Sequence, residues 1–376
     1  MNESKHFLPF TQPSLDEATI AAVVEVLRSG WLTSGAKVQA FETALSALLG
    51  QRIVKVMNSG TAALRMALRL ANIGEGDQVI TTPLSWVATS NVILEAGAKV
   101  AFVDVDFASR NIDLALIEPA LTPQTRAIMP VDLAGLPVDR NRLYEIARQN
   151  HLRVIEDAAQ SMGAVWQQQR IGAIGDFVAF SFHANKNLTT GEGGALVLPP
   201  DIDPALCEQL RLQGVKRGRD GVMDVAVLGY KSNMTDIAAA IGLGQLQQLD
   251  LITARRRLLA HRYFEQIRPE WGLQLPPPDN GQSNWHMFQV LLPLGINRAR
   301  FIEKMRSQGI GLGVHYPAIH LFSLYRTIGY ARGDFPIAED IAERIVTLPL
   351  FPAMTDADVD RVCQAIETCL VTFNSK

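Results

Sequence analysis

Cysteine is scarce: Cys207, Cys363 and Cys369 are the only three in 376 residues, with no CxxC pair and no metal-ligand spacing. That excludes a disulfide scaffold and a thiolate zinc site, and it leads us to expect a reducing, cytoplasmic setting and no metal. Long apolar runs are missing too. The opening MNESKHFLPFTQPSLDEA lacks the apolar centre of a secretory leader, and the apolar runs elsewhere are too short or too polar to span a bilayer. Charge of one sign is also lacking, with 35 Lys and Arg against 38 Asp and Glu. Such a chain offers no broad basic surface to nucleic acid or to an anionic membrane, so any phosphate must be held locally. Neither GxxxxGK[ST] nor a GxGxxG after the first strand-like run occurs, and no repeat or low-complexity tract is present.

What is present reads as alternating strands and helices. SLDEATIAAVVEVLRSG has Ser14 as a candidate N-cap with Glu17 three residues on, and it closes at Gly30 after Arg28. KVQAFETALSALLG, TAALRMALRLANIG and NRLYEIARQN carry the helical period, whereas DQVITTPLSW, KVAFVDVD, TRAIMPVDLAG, LRVIEDAAQ and DFVAFSFHA are short β-branched or aromatic runs. This alternation predicts an α/β fold, a mostly parallel sheet covered by helices, with ligands at the carboxyl ends of the strands. The length suggests two domains. The Ala- and Leu-rich stretch from Thr235 reads as one or two long helices, and the change of texture after it, to WGLQLPPPDNGQSNWHMFQVLLPLG, marks the expected boundary, with a large unit taken over 1–250 and a smaller α/β unit over 251–376. From about Leu273 the smaller unit reads strand, helix (RARFIEKMRSQG), short strand (IGLGVHYPA) and final helix (DADVDRVCQAIETCL). Arg255, Arg256 and Arg257 are expected to face solvent.

Four strand ends carry candidate chemistry. Asn58, Ser59, Gly60 and Thr61 lead straight into a helix, where backbone amides and hydroxyls suit a phosphate, although an ordinary N-cap reads the same way. Glu156 and Asp157 end an apolar strand, with Gln160 three residues on; an acid there can face a ligand cation or simply cap a helix. Trp86 lies in a strand-to-helix turn and can stack on a flat ring or fill the core. Lys186, in SFHANKNLTTGEGG, has no neighbouring carboxylate to explain it as a surface ion pair, and Gly191, Gly193 and Gly194 allow a tight turn beside it. A phosphate cradle, an aromatic plate, an acid and a sheltered amine are what pyridoxal 5'-phosphate requires.

SGTAAL, EDAAQ, SFHANKNLTTGEGG and GYKSNMTDIAAAIGLGQL, together with SGWLTSG, VHYPAIHLFSLYR and LPLFPAMTDADVDRV, resemble the DegT/DnrJ/EryC1/StrS family of sugar aminotransferases over nearly the whole chain. The look is nearest to the branch that aminates UDP-4-keto-pentoses for lipid A modification. The resemblance implies the type I fold of pyridoxal phosphate enzymes, a homodimer with shared active sites, and amino transfer from glutamate to a nucleotide-linked keto-sugar, by ping-pong kinetics. It implies that Lys186 holds the cofactor as a Schiff base, Asp157 pairs with the pyridinium nitrogen, Gln160 lies near the ring hydroxyl and Trp86 covers one ring face. Gly60, Thr61 and Ser181 would hold the phosphate. Where the commoner family pattern has GYNYRM, this chain has GYKSNM; Lys231 stands at the asparagine and Asn233 at the arginine, and Asn233 of a neighbouring subunit, with Lys231 close by, is the expected phosphate contact. His315, Tyr316 and His320 fall in the segment that lies near the sugar nucleotide, with Thr33, Ser34 and His183 as further candidates. Two other readings stay open: a sugar dehydratase, which would carry histidine at the Lys186 position, and a cofactor-binding regulator without transamination.

Overall fold

The computed structural model describes residues 7–218 and 221–374. Strands β1 (Val54–Met57), β2 (Gln78–Thr81), β3 (Lys99–Phe102), β4 (Thr125–Met129), β5 (Arg153–Asp157), β6 (Phe177–Ser181) and β7 (Gly194–Val197) form one sheet in the order β1-β7-β6-β5-β4-β2-β3. Of these seven, β7 alone runs against the others, pairing antiparallel with both β1 and β6. β2 and β7 are buried along their whole length and β4, β5 and β6 at all but one residue each, which is why they read as near-continuous apolar runs rather than alternating ones.

Helices α1 (Glu17–Ser29), α2 (Ala36–Leu48), α3 (Gly60–Leu70), α4 (Ala88–Glu95) and α5 (Arg140–Gln149) join or cover these strands. The helical period predicted all but α4, which sits inside the run that follows Trp86. The N-cap of α1 is Asp16, whose carboxylate accepts the Thr19 amide at 2.8 Å, not Ser14, whose carbonyl instead accepts from Gln245. The helix does close at Gly30, in the left-handed conformation at φ 74° that glycine adopts without a Cβ clash.

The stretch from Thr235 forms a single 31-residue helix, α6 (Asp236–Gln266), capped by the Thr235 hydroxyl. Residue 250, where the sequence suggests a boundary, lies inside it. Its first half packs on α1 and α2 and its second half on α8 (Asp356–Asn374). The C-terminal layer is completed by β8 (Phe288–Leu291), β9 (Ile345–Leu348) and α7 (Arg298–Ser307), with β8 and β9 antiparallel. IGLGVHYPA forms no regular strand: Gly313 makes an isolated bridge to Thr347 and Ile310 one to Leu8. Through that contact the N-terminal residues join the C-terminal core, Leu8 packing with Tyr263, Phe288 and Ile310.

Arg256 corrects the solvent-facing expectation for the arginine triplet. It is 2% exposed, and its Nη1 donates to the carbonyls of Trp285, His286 and Leu350 at 3.3, 3.1 and 2.9 Å. No carboxylate partners it among the described residues, and burial pulls it down to about 10. Arg257 reaches the carbonyls of Gly281 and Ser283, while Arg255 donates to Met354 and pairs with Asp356. On a helix that crosses two layers, the side facing the second layer is buried whatever its charge, and a guanidinium satisfies several carbonyls at once.

Candidate active site

The carboxyl ends of β1, β2, β5 and β6 converge on a cavity of about 460 Å³. From β1 come Ser59, Gly60 and Thr61, at the start of α3. The Ser59 hydroxyl accepts the Ala62 amide at 3.1 Å, so the N-cap reading is correct, yet the cap leaves the first-turn amides of Gly60 and Thr61 without helical partners. Both residues line the cavity. Glycine at 60 is a steric requirement: a Cβ there would come within 2.8 Å of the Ser181 Cβ. Across from it, a Cβ on Gly194 would fall 2.5 Å from the Ser59 carbonyl group. Two glycines thus let β1, β6 and β7 close tightly around a helix N-terminus that favours an anion.

Asp157 ends β5. Its Oδ2 accepts the Thr89 hydroxyl at 2.7 Å and its Oδ1 the Ala159 amide at 3.2 Å, while its backbone is fixed between the carbonyl of Pro130 and the amide of Asp132. Burial pushes its carboxyl above the usual range, opposed by those two hydrogen bonds and by the charge of Lys186. No helix follows, so it caps none. Behind it, Arg140 bridges Asp132 and Glu156 at 2.6 and 2.7 Å, with Tyr144 donating to Glu156 at 2.6 Å. This network turns Glu156 away from the cavity and leaves Asp157 as the strand-end acid that faces it.

Lys186 follows β6 in a turn whose amide bonds back to the His183 carbonyl. Among the described residues its amine forms no ion pair, and burial brings it down to about 8 against the pull of Asp157. Charging the amine is disfavoured in the folded chain, so its contribution to stability rises with pH between about 8 and its ordinary 10.5. In the cofactor-free protein, acetylation of Lys186 followed by peptide mass should rise with a midpoint near 8; a midpoint near the ordinary 10.5 would contradict a desolvated amine.

Trp86 is exposed at the cavity rim rather than in the core, its ring 6.1 Å from that of Tyr316. Tyr316 is buried, which raises its phenol. His315 also lines the cavity; its Nδ1 lies 2.8 Å from the Thr347 hydroxyl, and burial with the Lys186 charge brings it down to about 4. Gln160 and Ser181 line the wall, Gln160 accepting the Ala134 amide at 2.8 Å. His183 is at the mouth, 2.9 Å from Asn185 and 3.7 Å from Glu192.

Five expected residues lie outside the lining. His320 is fully buried, its Nε2 2.9 Å from Glu339 and its ring edge-on to Phe335, because a 3-10 turn over Ile319–Leu321 rotates it inward. Ser34, Asn233 and Lys231 form a separate cluster: Asn233 Nδ2 donates to Ser34 at 2.8 Å and Lys231 Nζ to Asn233 at 2.5 Å. Thr33 sits beside them, its carbonyl accepting the Asp236 amide. Thr89, Ser85, Asn185 and Glu192 were not singled out from sequence. Thr89 lies three residues after Trp86 on the turn that faces Asp157, a spacing that a helix start at Ala88 would have revealed.

The DegT/DnrJ/EryC1/StrS aminotransferase family model matches residues 13–367. The chain belongs to that family. It is 38% identical over 383 residues to the spore coat polysaccharide biosynthesis protein SpsC of Bacillus subtilis, covering 97% of this chain and 98% of SpsC. Protein Spr1654 of Streptococcus pneumoniae, solved in its pyridoxamine phosphate form, superposes with a TM-score of 0.92 at 30% identity, over 97% of this chain and 99% of that one. PseC of Helicobacter pylori, an aminotransferase involved in the biosynthesis of pseudoaminic acid, superposes at 0.91 with 28% identity, over 98% and 100%. The fold is therefore that of type I pyridoxal phosphate enzymes, and the cofactor is pyridoxal 5'-phosphate. The cavity fits it: an anion cradle that a Cβ at 60 would fill, a buried carboxylate and a lowered amine face one space large enough for the ring.

Proposed function

We propose that this aminotransferase moves an amino group from glutamate to the C4 keto group of a nucleotide-linked sugar, for surface polysaccharide or amino-sugar biosynthesis. The observation that carries the reading is that a buried Asp157 and a Lys186 amine brought down to about 8 line one cavity together with Gly60 and Thr61 at the start of α3. Bound pyridoxal phosphate supplies an electron sink at the amino carbon of the donor. Asp157, held by Thr89, keeps a negative charge where the ring nitrogen must carry a proton. As a neutral amine, Lys186 would take a proton from the donor's α-carbon and return one in the reverse half-reaction. Gln160, Trp86, Gly60, Thr61 and Ser181, all on the cavity lining, would hold the cofactor: Gln160 and Trp86 its ring, and Gly60, Thr61 and Ser181 its phosphate. His183, His315 and Tyr316, at the mouth and upper wall, face the sugar.

Among the described residues the lining contains the carboxylates Asp157 and Glu192 and no arginine, which leaves a dicarboxylate donor and a sugar diphosphate short of cations. Lys231 and Asn233, clustered with Ser34 beside Thr33 outside the chain's own cavity, suit a homodimer in which they serve the neighbouring site. The proposal predicts turnover with glutamate and a 4-keto nucleotide sugar. A panel of 4-keto and 3-keto sugars linked to UDP, dTDP or GDP tests it; amination of the 3-keto members alone, or of none, would overturn the C4 assignment.

A further inference from the structure

A second, smaller space shares Asn185 with the cavity; its polar lining is Thr11, Asn185, His286 and Thr347, and Phe10, Met287, Leu348 and Leu350 close the rest. Its volume is about 10 Å³, close to the least that one water needs. His286 is 4% exposed, and neither of its ring nitrogens finds a partner among the described residues. Orphaned buried polar atoms are uncommon enough that each requires a partner to be identified, and this side chain has two.

The neighbours show why the place matters. The His286 amide is held by Asn284 Oδ1 at 3.0 Å, and Asn284 Nδ2 donates to the carbonyls of Gln160 and Met162 at 2.9 and 2.8 Å. The Asn284 carbonyl takes a 2.8 Å bond from Asn187, immediately after Lys186, and Asn185, immediately before it, lines the small pocket. Thr347, also on the pocket, contacts His315. Burial and the surrounding positive charge of Lys186 and Arg256, with His315 and His183, hold the His286 imidazole well below its ordinary range. A neutral ring has one donor and one acceptor nitrogen, and water can serve either.

We propose that this pocket is an internal hydration site whose water joins His286 to Asn185 and Thr347, making His286 a positioning residue for Lys186 and His315. A high-resolution crystal structure of the holoprotein should show a water within hydrogen-bond distance of the His286 ring and of Asn185 or Thr347; a dry pocket overturns the proposal. That observation is independent of the amino donor, so it stands or falls apart from the glutamate reading, on which the kinetic arm rests. His286→Phe, which keeps the ring and removes both nitrogens, should slow the single-turnover reaction with glutamate by on the order of tenfold, a modest misplacement, with the cofactor dissociation constant and unfolding midpoint unchanged. His286→Gln, which restores a donor and an acceptor, should recover most of the rate. A parental rate in His286→Phe, or a His286→Gln variant equally slow, overturns the positioning role. If His286→Phe does not fold, Thr347→Val breaks the other end of the link and should be slowed similarly; a parental rate there also overturns it.

Discussion

Lys186→Ala is expected to end turnover in both half-reactions, with a loss of at least about 10⁴-fold, the upper end of what one positioned acid–base group contributes, because this side chain also anchors the cofactor. Among the described residues lining the cavity it is the sole amine, so no neighbour can substitute. His183 and His315 are also bases, but His315 is held low, at about 4, and is already engaged with Thr347. Borohydride treatment followed by peptide mapping gives the companion readout: the parent protein carries a reduced cofactor adduct on residue 186 and the variant carries none. An alanine variant with ordinary activity would remove the basis of the assignment.

Asp157→Asn should be the second-largest effect. The amide keeps the shape of the carboxylate and can still accept from Thr89, but it withdraws the negative charge facing the ring nitrogen. Loss of one preorganised electrostatic partner costs about 10²–10³ in kcat, and that range is expected here, with the cofactor retained because its phosphate cradle is untouched. Cofactor content and kcat measured on the same sample separate this from simple loss of binding. Equal kcat in variant and parent would mean that Asp157 does not serve the ring.

The sheet and the strand-end site were legible because both depend on local patterns. β-branched runs marked the buried strands, and SGTAAL, EDAAQ and HANKN each sit where a strand stops, so Gly60, Asp157 and Lys186 converge once the strands align in parallel. His320 was not legible as a core residue: its distance from the site is decided by a 3-10 turn and by Glu339, 19 positions away. Arg256 shows the same limit in another form. Three adjacent arginines look solvated in a local window, and only the crossing of α6 between two layers reveals which one is enclosed. The placement of Leu8 against Ile310 is likewise a contact between distant segments, with no local sign in the chain. Thr89 and His286 were missed because their importance lies in what they support rather than in what they touch.

The decisive measurement is a single half-reaction: purified holoprotein mixed with L-glutamate in the absence of any keto-sugar, with absorption and 2-oxoglutarate followed together. The proposed chemistry predicts one 2-oxoglutarate released per bound cofactor, with conversion of the cofactor to its aminated form. Persistence of the original spectrum with no 2-oxoglutarate, in protein whose cofactor is bound at Lys186, would contradict it and leave a cofactor-binding protein without glutamate transamination.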